Sequence, residues 1–326
     1  MIKRIVRRLL IEKKRSVPSG FTLIEILVSL IVASIVVTGL LYLVVELLQI
    51  DRREAFLDET QRNMQRAIDY IADDLRESIY VYSTPTTITS NLTGNYGFPA
   101  DGVPVLAFWK PQPLDTDVSG GTTVYDQLPA DCSALSGDDE ANCNALKIRQ
   151  AYYTLVVYYT TDTPSAVWEG KGRLLRYSLP EYLSSDITAT SVAPVNAYRE
   201  NSPAADFEGW TPSATGPFYT PPETVLVDYL ADWEQNPTPP TTLPACDAGY
   251  QASPETPGDR ESFFFACIRP IDTANEALNQ DVVLYLKGDA RGESERIINS
   301  FSDRSELPAI QTQVLVRGVL DKDTEN

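Results

Sequence analysis

The chain has 326 residues, 43% hydrophobic and 22% charged, enough for one large globular domain or two small ones beside any membrane segment. It contains no histidine, which excludes Ser-His-Asp and Cys-His catalytic sets, His-containing zinc sites and any His general base. The net charge of −18 conceals an asymmetry: residues 1–20 hold seven basic residues against Glu12 alone, and taking that +6 from −18 leaves −24 on the remainder. So acidic a surface repels phosphate backbones, and nucleic acid is not an expected partner.

The basic residues Lys3, Arg4, Arg7, Arg8, Lys13, Lys14 and Arg15 open the chain. From Ile26 to Val45 follow 20 residues without a charge, dominated by Leu, Ile and Val. As a helix they rise about 30 Å, the thickness of a bilayer core. Basic residues precede this run and acidic ones follow it, so the positive-inside rule assigns residues 1–20 to the cytoplasm and the rest to the outside. A secretory signal peptide has a shorter apolar core with its small residues behind it, whereas Ser19 and Gly20 stand in front. Any cleavage therefore precedes the helix. Glu25 lies one turn inside the apolar stretch, where an unpaired carboxylate costs on the order of 2 kcal/mol or more.

Leu57, Met64, Ile68, Ile71, Leu75 and Ile79 then recur at helical spacing, with Arg62, Arg66, Asp69, Asp73 and Arg76 on other faces. The pattern predicts one helix from about Phe21 to Ile79, with Gly39 as the place for a bend and an Asp58–Arg62 ion pair at i,i+4. After Pro85 short runs rich in Val, Tyr, Phe and Thr alternate with Pro, Gly, Asp and Ser, the pattern of antiparallel strands and long loops. The candidate strands are Val103–Trp109, Tyr152–Thr160, Arg173–Ser178, Thr224–Tyr229, Phe263–Ile268, Val282–Leu286 and Thr312–Val319. Tyr152–Thr160 is apolar on both faces and is expected at the sheet centre, covered on one side by the helix. Pro237–Pro244 reads as a Pro-Thr loop and residues 321–326 as a frayed tail. The expected class is α+β: a long N-terminal helix, membrane-spanning then amphipathic, packed on an antiparallel sheet with long loops.

Cys132, Cys143, Cys246 and Cys267 form no CxxC pair and all follow the apolar segment, which suits disulfides in an oxidising compartment. Of three possible pairings, Cys132 with Cys143 and Cys246 with Cys267 is the favoured one, each short loop then contributing roughly 3 kcal/mol on the chain-entropy account. Asp138, Asp139 and Glu140 lie in the first of these loops and are a weak candidate for Ca²⁺. They lack EF-hand spacing, and a solvated acidic loop is the simpler reading. Asn91-Leu92-Thr93 matches a glycosylation sequon on three residues alone. No paired-carboxylate constellation stands out, because so many acidic residues guarantee chance pairs. No cofactor and no enzymatic activity are expected.

The run Pro18-Ser19-Gly20-Phe21-Thr22-Leu23-Ile24-Glu25 resembles the processing site of type IV prepilins and type II secretion pseudopilins. That resemblance implies a prepilin peptidase that cuts between Gly20 and Phe21 and methylates the new N-terminal Phe21. It also implies a filament in which Glu25 pairs with the N-terminal ammonium of a neighbouring subunit. Further along, Ala67 to Leu75, Pro104 to Lys110, Val225 to Tyr229, Pro244-Ala245-Cys246, Phe265-Ala266-Cys267 and Thr312 to Gly318 resemble the cyanobacterial hormogonium polysaccharide secretion pseudopilin C family. More broadly the chain is similar to minor pilins of the W and J types.

The organisation implied is a cytoplasmic leader at 1–20, a transmembrane helix at 21–48, its amphipathic continuation at 49–80, an exported head at 81–320 and a tail at 321–326. The expected partners are the prepilin peptidase, other pilins or pseudopilins and an inner-membrane assembly platform, in a filament serving polysaccharide secretion. The competing expectation is a monomeric membrane-anchored protein whose head binds a glycan or protein.

Overall fold

In the computed structural model the described residues are 20–115, 123–170, 172–203, 205–231, 245–255, 264–271, 280–289 and 307–316. Leader residues 1–19, the Pro237–Pro244 loop and the tail 321–326 lie outside them. Among the described residues the chain divides into a unit ending at Ala55 and a second starting at Phe56.

The first helix, α1, spans Leu23–Arg76 and stays helical through Gly39. In the first unit its large apolar side chains, from Leu23 to Ile50, are exposed. In the second unit it is amphipathic: Met64, Ala67, Ile68, Ile71, Ala72 and Leu75 are buried, while Arg62 pairs with Asp58 in solvent. Ile79 does not belong to the helix as its spacing predicts. Ser78 closes the last turn, its backbone N–H and its hydroxyl both donating to the Leu75 carbonyl at 3.1 and 2.6 Å, and the Ile79 N–H turns away to the Trp109 carbonyl at 2.8 Å.

There follow β1 (Tyr80–Val81), α2 (Thr86–Leu92), β2 (Val103–Pro113), α3 (Val124–Gln127), α4 (Asp138–Arg149), β3 (Ala151–Thr161), β4 (Gly172–Pro180), the small ribbon β5 (Ile187–Thr188) and β6 (Ser191–Val192), and β7 (Thr224–Leu230). The last described elements are β8 (Gln251–Ser253), β9 (Phe264–Ile268), β10 (Asp281–Leu286) and β11 (Ile310–Leu315). The strands form two larger sheets, one in the order β1-β2-β3-β4-β7 and one in the order β11-β10-β9-β8, and the pairings within each are antiparallel. The fold is thus α+β, a long N-terminal helix with an antiparallel β head. β3 is central in its sheet, and its nearly continuous apolar run is buried on both faces.

Helix and both sheets share one core. The buried face of α1 meets Leu106, Phe108, Val156 and Tyr158 of the first sheet and Phe264, Ile268, Val282, Leu284 and Val314 of the second. The opposite face of the first sheet carries a second, aromatic core of Trp109, Tyr159, Tyr177, Tyr198 and Trp210, roofed by α2. Two polar side chains join the sheets. Gln280 acts as a strand edge in miniature, accepting from the Val81 N–H at 2.9 Å and donating to the Val81 carbonyl at 2.8 Å. The register shift between Pro104 and Leu106 leaves the Val105 carbonyl without its ladder partner, and the Ser253 hydroxyl fills that place at 2.7 Å.

The acidic run expected in a loop is instead helical. Asp138, Asp139 and Glu140 form the first turn of α4, and Lys147 and Arg149 lie in its last turn. Both charge sets complement the helix dipole, which favours the helix over an open loop. Asp139 is further engaged by the Val192 N–H at 2.8 Å and the Ser191 hydroxyl at 3.2 Å, tying α4 to β6. Cys132 is bonded to Cys143 and Cys246 to Cys267. The first bond anchors α4 in a small core with Leu114, Leu135, Leu146 and Tyr152. The second fastens residue 246 to β9 beside Phe265.

Candidate functional site

The functional segment is the start of α1. Thr22 precedes the helix and offers two acceptors to its open end: its carbonyl takes the N–H groups of Glu25 at 3.0 Å and Ile26 at 3.2 Å, and its hydroxyl takes the Glu25 N–H at 3.3 Å. A threonine at this place satisfies donors that the first turn otherwise leaves unpaired. Glu25, three residues on, puts a carboxylate at the positive end of the helix dipole.

Beyond it the hydroxyls of Ser29, Ser34 and Thr38 donate back to the carbonyls of Ile26, Ile31 and Ser34 at 2.9, 2.8 and 2.7 Å. Those side chains are satisfied by their own helix, which is how such groups enter a lipid environment. Glu25 differs, because among the described residues no cation is paired with its carboxylate. It is also the one formally charged side chain between Leu23 and Val45. The helix is long and apolar enough to cross a membrane, with a mean hydropathy of 2.6 over its most apolar window.

Gly20 and Phe21 lie ahead of the helix and are exposed. A Cβ built on Gly20 meets no atom within 4 Å. The fold therefore places no demand for glycine there, and any requirement for a small residue has to come from something that acts on this bond.

A second constellation, missed in the sequence reading, lies where α1 docks on the first sheet. Asp74, adjacent to the exposed Asp73, is buried and accepts from Tyr158 Oη at 2.6 Å, Lys110 Nζ at 2.8 Å and Arg176 Nε at 2.9 Å. Lys110 also reaches Glu77 at 2.7 Å. Three neighbouring strands thus converge on one carboxylate. Burial pushes Asp74 up, but Arg176, Lys110 and Tyr158 together outweigh it and hold the carboxyl below its ordinary value. The helical phase contained the signal, since 67, 71, 74 and 78 follow one another at steps of three and four and the others are buried. This is a structural lock, and it does not lie near Gly20 in the chain.

The other sequence candidates stay apart. The disulfides anchor loops, and Asp138, Asp139 and Glu140 cap a helix. Among the described residues no group of three or more His, Cys, Asp or Glu side chains is placed to hold a metal ion. Asn91 of the sequon lies inside α2. Trp109, Trp210, Tyr177 and Tyr198 are core residues, so they offer no exposed aromatic platform for a glycan.

Among known proteins, residues 15–41 match the prokaryotic N-terminal methylation motif. No curated protein and no solved structure matches the chain. The matched residues run from Arg15 through Gly20, Phe21 and Glu25 into the first half of α1. The chain carries a type IV pilin-like prepilin signal, which marks a pilin- or pseudopilin-like protein processed as a prepilin.

Proposed function

We propose that this chain is a minor pilin or pseudopilin, a structural subunit of a type IV pilus-like or type II secretion-like filament. The observation that carries the reading is the prepilin signal at residues 15–41 running directly into an apolar helix with its side chains exposed. On this reading the prepilin peptidase removes residues 1–20 on the cytoplasmic side by cutting between Gly20 and Phe21, and Phe21 becomes the methylated N-terminus. Residues 21–48 hold the subunit in the inner membrane, residues 49–80 dock the head, the head at 81–320 is exported, and 321–326 form a tail. On an assembly platform the apolar helices of neighbouring subunits pack together, and the Phe21 ammonium of one pairs with the Glu25 carboxylate of the next. That pairing relieves the cost of an uncompensated carboxylate only in the filament, so it favours assembly over the isolated subunit.

The narrower role is polysaccharide export through a filament of the hormogonium secretion type. Its support is the set of short runs, Ala67 to Leu75, Pro104 to Lys110, Val225 to Tyr229, Pro244 to Cys246, Phe265 to Cys267 and Thr312 to Gly318, that resemble that pseudopilin family. Mass spectrometry of the membrane fraction tests the main reading: it is expected to find a chain shortened by the leader and carrying N-methyl-Phe21. An uncut chain would favour the monomeric anchored binding protein instead.

A further inference from the structure

The loop joining β3 to β4 is exposed from Asp162 to Glu169 and carries two large apolar side chains in solvent, Val167 at 78% and Trp168 at 42% exposure. We propose that this loop is a rigid protein-binding knob, and that its partner is a different protein with an apolar pocket rimmed by basic side chains. The inference concerns the head alone and stands apart from the filament reading.

The first observation is that the backbone under these side chains is held along its whole course. On the incoming leg the Asp101 carboxylate accepts from the Thr161 hydroxyl at 3.0 Å and from the Thr163 hydroxyl, and the Thr163 N–H donates to the Thr161 hydroxyl at 3.2 Å. The buried Arg173 guanidinium donates to the Thr163 carbonyl, and Pro164 fixes the next φ. The N–H groups of Val167 and Trp168 then donate to Ser165 Oγ at 3.2 and 3.3 Å. On the outgoing leg those of Glu169 and Gly170 donate to the two oxygens of Asp228 at 3.1 and 3.0 Å. Gly170 is required for this, because a Cβ there would stand 2.3 Å from both Asp228 Oδ1 and the Tyr229 nitrogen. Tyr229 itself holds a φ of 60°, which an aromatic residue keeps only where its surroundings over-determine it. A segment ordered in advance loses little conformational freedom on binding. Tryptophan is among the residue types most enriched in the few contacts that dominate binding energy.

The second observation is charge, which selects the partner. The loop contains Asp162 and Glu169, and Asp101 and Asp228 are bonded to its two legs. Against these four carboxylates residues 162–171 supply one basic residue, Lys171, which lies outside the described residues. The result is an apolar centre in a negative surround, the arrangement of an interface core with its polar rim. Its complement is an apolar pocket edged by Lys or Arg. A second copy does not fit, since the chain beyond residue 20 carries −24 once the +6 of the first 20 residues is taken from −18. Anionic lipid headgroups are repelled for the same reason.

The test places the photoreactive residue p-benzoylphenylalanine at position 167 of the full-length protein and irradiates the cells that produce it. One adduct is expected, joining this chain to a single other protein identified from its crosslinked peptides. The same photoreactive residue at Ile148, 82% exposed on α4, is expected not to give it. Adding Asp162→Lys, which puts like charges together at the rim, is expected to lower the yield about tenfold, and Trp168→Ala to lower it at least as much. Both positions are exposed, so an unchanged urea midpoint separates loss of the contact from loss of the fold. Four outcomes overturn the inference: no adduct, an adduct with a second copy, an adduct with lipid, or a protein adduct whose yield neither substitution alters.

Discussion

Asp74→Asn isolates the charge that ties the helix to the sheet. The substitution keeps the side-chain shape but removes the counterion of Lys110 and Arg176, whose side chains are only 13% and 15% exposed. Stripping one partner from a buried ionic cluster costs about 3–5 kcal/mol. Two residual contacts offset part of this: Glu77 stays near Lys110 but is well solvated, and Arg176 lies 6.0 Å from the Tyr70 ring centroid. Those contacts return about 1 kcal/mol, leaving an expected loss of about 3 kcal/mol. Asp73→Asn is the control, because its exposed pair with Arg76 is worth about 0.5 kcal/mol or less.

Urea unfolding of the detergent-solubilised full-length protein measures both. The Asp74 carboxyl is held below its ordinary value, so its contribution is complete above the unfolded aspartate pKa of about 3.9 and is lost as pH falls through the lower folded value. The gap between wild type and Asp74→Asn is therefore constant near neutrality and closes only in strong acid. A loss below about 1 kcal/mol at neutral pH, or a gap that closes on raising the pH, would refute the assignment of Asp74 as the buried ionised hub.

Three further outcomes are expected. Gly20→Glu leaves the fold untouched, since a Cβ there meets nothing, yet yields a precursor that keeps its leader; a normal mature mass in the variant would count against processing at this bond. Glu25→Ala still inserts in membranes, because the segment becomes more apolar, while its share in sheared filaments drops sharply; incorporation at the wild-type level would remove the pairing mechanism. Cys267→Ser opens the loop to Cys246, 21 residues away, and lowers stability by about 3 kcal/mol, readable as a reduced urea midpoint, whereas an unchanged midpoint would mean that the bond contributes nothing.

The signals that were legible are the local ones. Gly20, Phe21 and Glu25 form a contiguous motif before a long apolar run, so neither needs tertiary context to be read. β3 announced its central place because its residues are apolar on both faces. The division of the strands into two sheets was not legible, because it depends on pairs such as Gln280 with Val81 that no local period encodes. α2 was hidden by its threonines, which favour strands, and α4 by an acidic run whose helix-starting role shows only beside the basic residues at its other end. Asp74 is polar by type yet stands on the buried helical face in phase with Ala67, Ile71 and Ser78, so residue type and helical phase point in opposite directions there.

The Gln280–Val81 clasp spans 199 residues, and the same core draws on β10 and β11 to cover the buried face of α1. As the chain emerges from its N-terminus, that helical face must wait for the last strands before it is sealed. Contacts this distant in sequence slow closure and prolong the exposure of sticky surface. A chain truncated before β10 is therefore expected to remain open and prone to self-association, and the order of synthesis itself becomes a constraint on how this head reaches its final form.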